Sequence, residues 1–163
     1  MTDDYPLLPD DMRPLLRDFL AAQSTLALGT AGLSDGRPQV APLFFVHDDA
    51  FNLYWISDPD SRHSKNLADW NDVSAAIYAS TWEWTAIRGV QLEGDAMDVE
   101  DEDERSAGLA LYTQKFAFVN DRFASLVKQS VLYVLRPRWL RWIDNTRKFG
   151  YQQEFRLEVD GDD

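Results

Sequence analysis

The chain has 163 residues, 45% hydrophobic and 13% aromatic, with 28 acidic against 16 basic side chains and a formal net charge of −12. Such a charge balance opposes general binding to nucleic acid or to anionic membranes, because polyanions are drawn by a summed cationic field that this chain lacks. The length and apolar content suit one globular domain over 1–163, with a core that buries roughly 70% of the unfolded surface. There is no cysteine, so disulfides, thiolate nucleophiles and cysteine metal sites are excluded, and two histidines, His47 and His63, are too few for a histidine-rich metal centre. No apolar run reaches the roughly 18 residues of a membrane span, and the opening Met1-Thr2-Asp3-Asp4-Tyr5 is acidic where a signal peptide is basic. A cytoplasmic location is therefore expected.

Between Asp11 and Gln23, Met12, Leu15, Leu16, Phe19 and Leu20 recur at helical spacing and predict an amphipathic helix. Thr25 to Thr30 alternates as a strand, turn residues fill Ala31 to Gly36, and Pro38 to His47 returns as a second strand, making a hairpin. A third strand, Phe51 to Ser57, leads through Pro59 into a short polar helix ending near Asp69, and Val73 to Ala79 is a fourth strand. Thr85 to Val99 reads as a long fifth strand, in which Gly89 and Gly94 predict a bulge or a close backbone approach. Eight acidic residues between Glu93 and Glu104 run into an apolar-periodic stretch with Leu109, Leu111, Tyr112 and Phe116, as suits the positive end of a helix. A second short helix is expected from Asn120 to Lys128, and strands over Val131 to Ile143 and Tyr151 to Val159, around an Asp144-Asn145-Thr146 turn.

Six or seven strands without regular strand-helix-strand alternation predict a mainly β fold, an antiparallel Greek-key barrel of about six strands with a few flanking helices. No Gly-rich dinucleotide fingerprint or P-loop occurs, no serine sits in a nucleophile elbow, and no histidine is paired with an acid at a recognisable spacing. Chemistry, if present, comes from a cofactor. The segment best suited to hold one is Trp55-Ile56-Ser57-Asp58-Pro59-Asp60-Ser61-Arg62-His63-Ser64-Lys65-Asn66, a strand running into a cationic helix start. Ser57 or Asp58 can cap that helix with Pro59 at its first position. The opening N–H groups, Ser61, Arg62 and Lys65 then offer donors to an anion. The plainer alternative is an exposed helix whose Arg62 and Lys65 offset Asp58, Asp60 and Asp69. His63 could bond a phosphate or act as a general acid, whereas His47, beside Asp48 and Asp49, reads as surface. Tyr54 and Trp55 must face opposite sides of their strand, as must Trp139 and Trp142.

Taken in order, Gly36-Arg37-Pro38-Gln39-Val40-Ala41-Pro42, Tyr54-Trp55-Ile56-Ser57, Ser61-Arg62-His63-Ser64-Lys65-Asn66-Leu67 and Ile87-Arg88-Gly89-Val90-Gln91-Leu92-Glu93-Gly94 resemble the pyridoxamine 5'-phosphate oxidase-like, FMN-binding split-barrel superfamily. Tyr112, Phe116 and Asp144-Asn145-Thr146 before Phe149-Gly150 extend the resemblance to small uncharacterised bacterial members. The resemblance implies a homodimer with FMN at the subunit interface. Val40, Ala41 and Pro42 are expected along the flavin ring, and Trp55, Ile56, Ser57, Ser61, Arg62, His63 and Lys65 at the ribityl chain and phosphate. Arg88 and Gln91 are expected as ring or ribityl contacts, and the region around Trp142 to Asn145 as the partner's contribution.

Two departures qualify these expectations. Arg62-His63 stands where many relatives carry Arg-Lys, and Gly150 to Asp163 holds no counterpart of the C-terminal arginine and histidine elements that hold the vitamin substrate. The expected function is a flavin-dependent oxidoreductase on another small molecule. The rivals are a flavin-binding dimer without turnover and a haem-binding split barrel using His47 or His63 as axial ligand.

Overall fold

The computed structural model describes residues 4–117 and 127–158, together with Ser125. Helix α1 spans Arg13–Ala21. It is followed by β1 (Thr25–Ala31), β2 (Pro38–Phe44), β3 (Val46–His47), β4 (Leu53–Ser57), α2 (Arg62–Asp69), β5 (Asp72–Tyr78), a 3₁₀ turn at Trp84–Ala86, β6 (Arg88–Asp98), α3 (Glu102–Lys115), β7 (Val131–Asp144) and β8 (Gln152–Arg156). The strands form one antiparallel sheet in the order β2-β1-β5-β6-β7-β4-β3, with β8 added to β7.

The sequence predicts Pro38 to His47 as one strand, and the chain breaks it at Phe45. Its first part pairs with β1 and its last two residues pair with β4. The Phe45 ring is fully buried, and its N–H leaves the ladder to bond the Ser24 carbonyl at 3.1 Å. This one bent segment therefore belongs to both ends of the strand order and closes the sheet into a split barrel of six strand positions.

Period-2 alternation sorts the side chains. Leu28, Ala75, Leu92, Leu140 and Phe155 are matched across consecutive strands and point inward. Leu16, Phe19 and Leu20 from the apolar stripe of α1 plug the same core. Trp55 and Trp142 are fully buried in it. On the opposite face of β4 and β7, Tyr54, Leu132 and Val134 join Val46, Tyr112 and Phe116 in a second cluster that docks α3. Tyr54 thus faces away from Trp55, and its hydroxyl donates to Glu104 at 2.9 Å and lies 3.2 Å from Asp48, so burial and two carboxylates raise its pKa. Arg136 meets Glu104 at 2.8 Å and completes this link between α3 and the barrel.

Several boundaries differ from the sequence expectation. The fifth strand begins at Arg88, because Trp84–Ala86 forms a 3₁₀ turn, and the last strand ends at Arg156. The polar helix begins at Arg62 with Ser61 as its cap, accepting from Ser64 N; Ser57, Asp58 and Pro59 precede it. Asp101 caps α3, with Glu102, Asp103 and Glu104 in its first turn, as the acidic run predicts. The helix expected over Asn120 to Lys128 lies mostly outside the described residues. Among the described residues no helix is long and apolar enough to cross a membrane.

The bulge expected near Gly94 falls between Glu93 and Gly94. A Cβ at Gly94 would collide with the carbonyl of Arg136 and the Cα of Pro137 on β7, so the backbones of the two longest strands touch there. Gly94→Ala should therefore destabilise the fold by about 2–4 kcal/mol in urea unfolding, as overpacking against backbone requires. A change within about 0.5 kcal/mol would show that β7 yields freely at Pro137.

Candidate functional site

The end of β4 and the start of α2 lie side by side because Asp58 to Ser61 turns the chain back tightly. Asp60 N donates to the Asp58 carboxylate at 2.8 Å, and Ser61 N to the Asp58 carbonyl at 3.1 Å. The turn brings His63 Nε2 to 2.6 Å from Ser57 Oγ and 3.1 Å from Ser61 Oγ, while Ser61 Oγ donates to Ser64 Oγ at 2.8 Å. His63 is only 9% exposed, and burial lowers its pKa from the ordinary 6.5. Burial thus favours the neutral form of the ring, which ties strand to helix.

Arg62, one position earlier on the helix, has its side chain half in solvent. Its nearest acid is Asp35 at 3.9 Å, and its guanidinium reaches the Arg37 carbonyl at 3.5 Å, beside the entry to β2. The opening N–H groups of α2 have no partner within the helix. Ser57, Arg62 and the first amides of the helix together form an anion-compatible corner, in which Ser61 caps Ser64 N and gives its own hydrogen to Ser64. Lys65, expected to share that charge, is exposed and paired with Asp60 at 3.3 Å.

A second concave region lies on the outer face of the sheet, with a volume of about 570 Å³. Two cross-strand rows build it. One runs Val40, Gly29, Ser74, Glu93, Trp139; the other runs Pro42, Ala27, Ala76, Gln91, Arg141. Small residues on β1 and β5 make the floor, Val40 rises on one side, and Trp139 and Tyr5 rise on the other. Arg141 donates to Glu154 at 2.8 Å and to the Gln91 side-chain carbonyl at 3.1 Å, and its bond to Glu154 holds that carboxyl below its usual range.

The expected site residues separate into four places. Ser57, Ser61, Arg62 and His63 meet at the α2 corner, with Lys65 on its rim. Val40 is 69% exposed, and it and Gln91 line the trough; Pro42 lies outward in the same row as Gln91. Ala41, by contrast, is buried behind them, and Trp55 lies in the barrel core with Ile56 packed against the second cluster.

Trp142 is fully buried in its own core with its ring 5.1 Å from Phe19, so the indole cannot reach a neighbouring chain. Arg88 sits over the Trp142 and Phe19 rings at 5.3 and 5.7 Å, and its Nε lies 3.8 Å from buried Asp144, beyond hydrogen-bond reach. Asn145 bonds the Trp84 carbonyl at 2.9 Å and accepts from Gly150 N at 3.0 Å, so it ties two loops together.

Sequence reading missed Tyr5, Trp139 and Arg141 as trough walls. Their signal was positional: once the registers are known, Ala27, Gly29, Ser74 and Ala76 form one small-residue tile.

A closed antiparallel barrel bent at one strand, with a polar helix start at its mouth, defines a split-barrel protein. The family model described as pyridoxamine 5'-phosphate oxidase matches residues 12–143, and the chain belongs to that family. A UPF0306 protein of Cronobacter sakazakii is 31% identical over 111 residues, covering 68% of this chain and 72% of the relative. Among solved structures, a heme binding protein from Mycobacterium smegmatis superposes with a TM-score of 0.74 at 20% identity, over 92% of this chain and 60% of that one. Conserved hypothetical protein Rv2991 from Mycobacterium tuberculosis gives 0.69 at 21% identity, over 97% and 96%. At such identities the likeness shows the shared fold alone.

Because the folded state keeps His63 neutral while the unfolded chain takes up a proton near 6.5, stability is fully present above that pH and falls as pH drops through it toward the lower folded value. Urea midpoints measured from pH 7.5 to 5 should decline for the native sequence and decline less for His63→Asn. Identical slopes would remove His63 as the source.

Proposed function

We propose that this chain binds FMN with its phosphate at the α2 corner, as a homodimer with the flavin at the subunit interface, and acts as an FMN-dependent oxidoreductase on a small molecule. The observation that carries this reading is the Arg62 guanidinium, half exposed and 3.9 Å from Asp35, beside the first turn of α2, which Ser61 caps, and the hydroxyl of Ser57. That donor set fits a phosphate: a planar cationic fork, the Ser57 hydroxyl and a helix N-terminus, on a chain otherwise strongly acidic. Family membership supports the flavin, and the Val40 and Gln91 side chains at the trough offer one apolar and one amide contact to a planar ring. Bound flavin would supply the electron transfer; the residues of this chain bind and orient it and exclude water. The neutral, bonded His63 positions Ser57 and Ser61 and leaves Arg62 as the principal cation.

A haem reading rests on one further feature. His47 lines a hollow of about 220 Å³ with Val46, Leu111 and Lys115, and its Nδ1 lies 3.0 Å from the Asp48 carbonyl, which leaves Nε2 for a ligand. That hollow is smaller than the roughly 300–1,000 Å³ usual for a drug-sized ligand, which favours the flavin.

Titration with FMN, with riboflavin as the phosphate-free control, tests the proposal. The native chain should bind FMN much more tightly than riboflavin. Arg62→Ala should weaken FMN by about 1.5–3 kcal/mol, on the order of tenfold to a hundredfold, and leave riboflavin unchanged. Equal affinity for the two flavins would overturn the phosphate assignment. A Soret band on haem addition, lost in His47→Ala, would instead move the haem reading forward. Bound FMN that no reduced nicotinamide or other donor reduces would leave a binding protein without turnover.

A further inference from the structure

The end of the sheet opposite the α2 corner carries a set of displayed aromatic rings. Trp82 is fully exposed, and Trp84 and Phe149 are 60% and 72% exposed. These rings sit on two loops, one joining β5 to β6 and one joining β7 to β8. Asn145 binds the loops together through the Trp84 carbonyl and Gly150 N, and its own N–H reaches the Ile87 carbonyl at 2.9 Å. The Trp84 and Phe149 rings meet edge to face with centroids 5.4 Å apart, so the projection is built rather than trailing. Apolar display of this kind on a soluble-looking surface marks a binding face.

We infer that this aromatic projection inserts into the outer trough of a second copy of the chain, and that the contact is reciprocal. The inference rests on the dimer proposed above and specifies how its two halves meet. Shape favours it: the trough floor of Ala27, Gly29, Ser74 and Ala76 is a hole for large rings, walled by Val40 and Trp139. Charge favours it too. The projection carries Lys148 beside Phe149, with Arg147 turned to Asp144 at 3.9 Å and the Tyr151 hydroxyl at 3.1 Å and Glu83 between the tryptophans, and the trough carries Glu93, for which no hydrogen bond or ion pair is seen among the described residues. On a chain of net charge −12 a copy must be held by such a local match, because the summed fields repel.

Spacing makes the reciprocity possible. Ile87 lies four residues before Gln91 along the same strand direction, about 13 Å at 3.3 Å per residue. A two-fold axis between trough and projection would exchange the two, as an isologous contact requires. The trough also contains Val40 and Gln91, so the partner's rings would border the proposed flavin ring.

Three proteins test this by sedimentation equilibrium and native mass spectrometry: the native chain, the projection-less variant Trp82→Ser/Trp84→Ser, and the filled-trough variant Ala76→Trp. Both substituted sites are at the surface, and circular dichroism checks that each variant folds. The native chain should be a dimer, and each variant alone should self-associate at least about tenfold more weakly, as loss of aromatic anchors implies. Mixed together, the two variants should form a heterodimer, because the intact projection of one still meets the intact trough of the other. Either variant dimerising like the native chain, a mixture that forms no heterodimer, or a monomeric native chain overturns the inference. FMN titration of the same samples separates the two proposals. Flavin bound by variants that stay dimeric removes the aromatic contact and keeps the flavin reading; a correct association pattern without flavin binding does the reverse.

Discussion

The structure depends on the bend at Phe45. A single segment, 38–47, must pair with β1 on one side and β4 on the other, and no straight strand can do both. Burying the Phe45 ring completely while its N–H turns to Ser24 lets the ladder change partners at little cost in unmade hydrogen bonds. Once the ring of strands is closed there, inward and outward faces are fixed for every other strand, because a slip of one residue would exchange core and surface along its whole length.

The two concave places follow from that constraint. The outer trough exists because β1 and β5 spend their outward positions on Ala, Gly and Ser while the flanking strands carry Val40, Glu93 and Trp139. The α2 corner exists because β4, held against β7 through Ser57, delivers the chain to a tight turn whose helix is capped by Ser61. His63 joins the two elements. It illustrates how one residue type serves opposite ends: exposed, a histidine beside Arg62 would add charge for an anion, but buried against Ser57 and Ser61 it is neutral and structural.

The acidic surface and the small cationic corner also belong together. With 28 acids against 16 bases, the summed field opposes nonspecific anion binding over most of the molecule, so an anion at the α2 corner would have to be held by local contacts around Arg62. The same excess of acid opposes contact between copies and makes local complementarity, instead of bulk attraction, the requirement for any assembly.

By itself, the sequence determined most of the strands and the helices α1, α2 and α3, the bulge at Gly94, the acidic cap of α3 and the opposed faces of Tyr54 and Trp55, because these follow from local periodicity, backbone sterics and helix electrostatics. It also marked Ser57, Ser61 and Arg62, whose spacing across a turn is short enough to read directly. Only the tertiary structure decided that segment 38–47 closes the barrel, that His63 turns inward while Lys65 pairs with Asp60, that Trp142 is core, and that Tyr5, Trp139 and Arg141 wall a trough floored by β1 and β5. Those outcomes depend on which strands become neighbours and in what register. That choice is made by burying the whole apolar set at once, and no window of local sequence contains it.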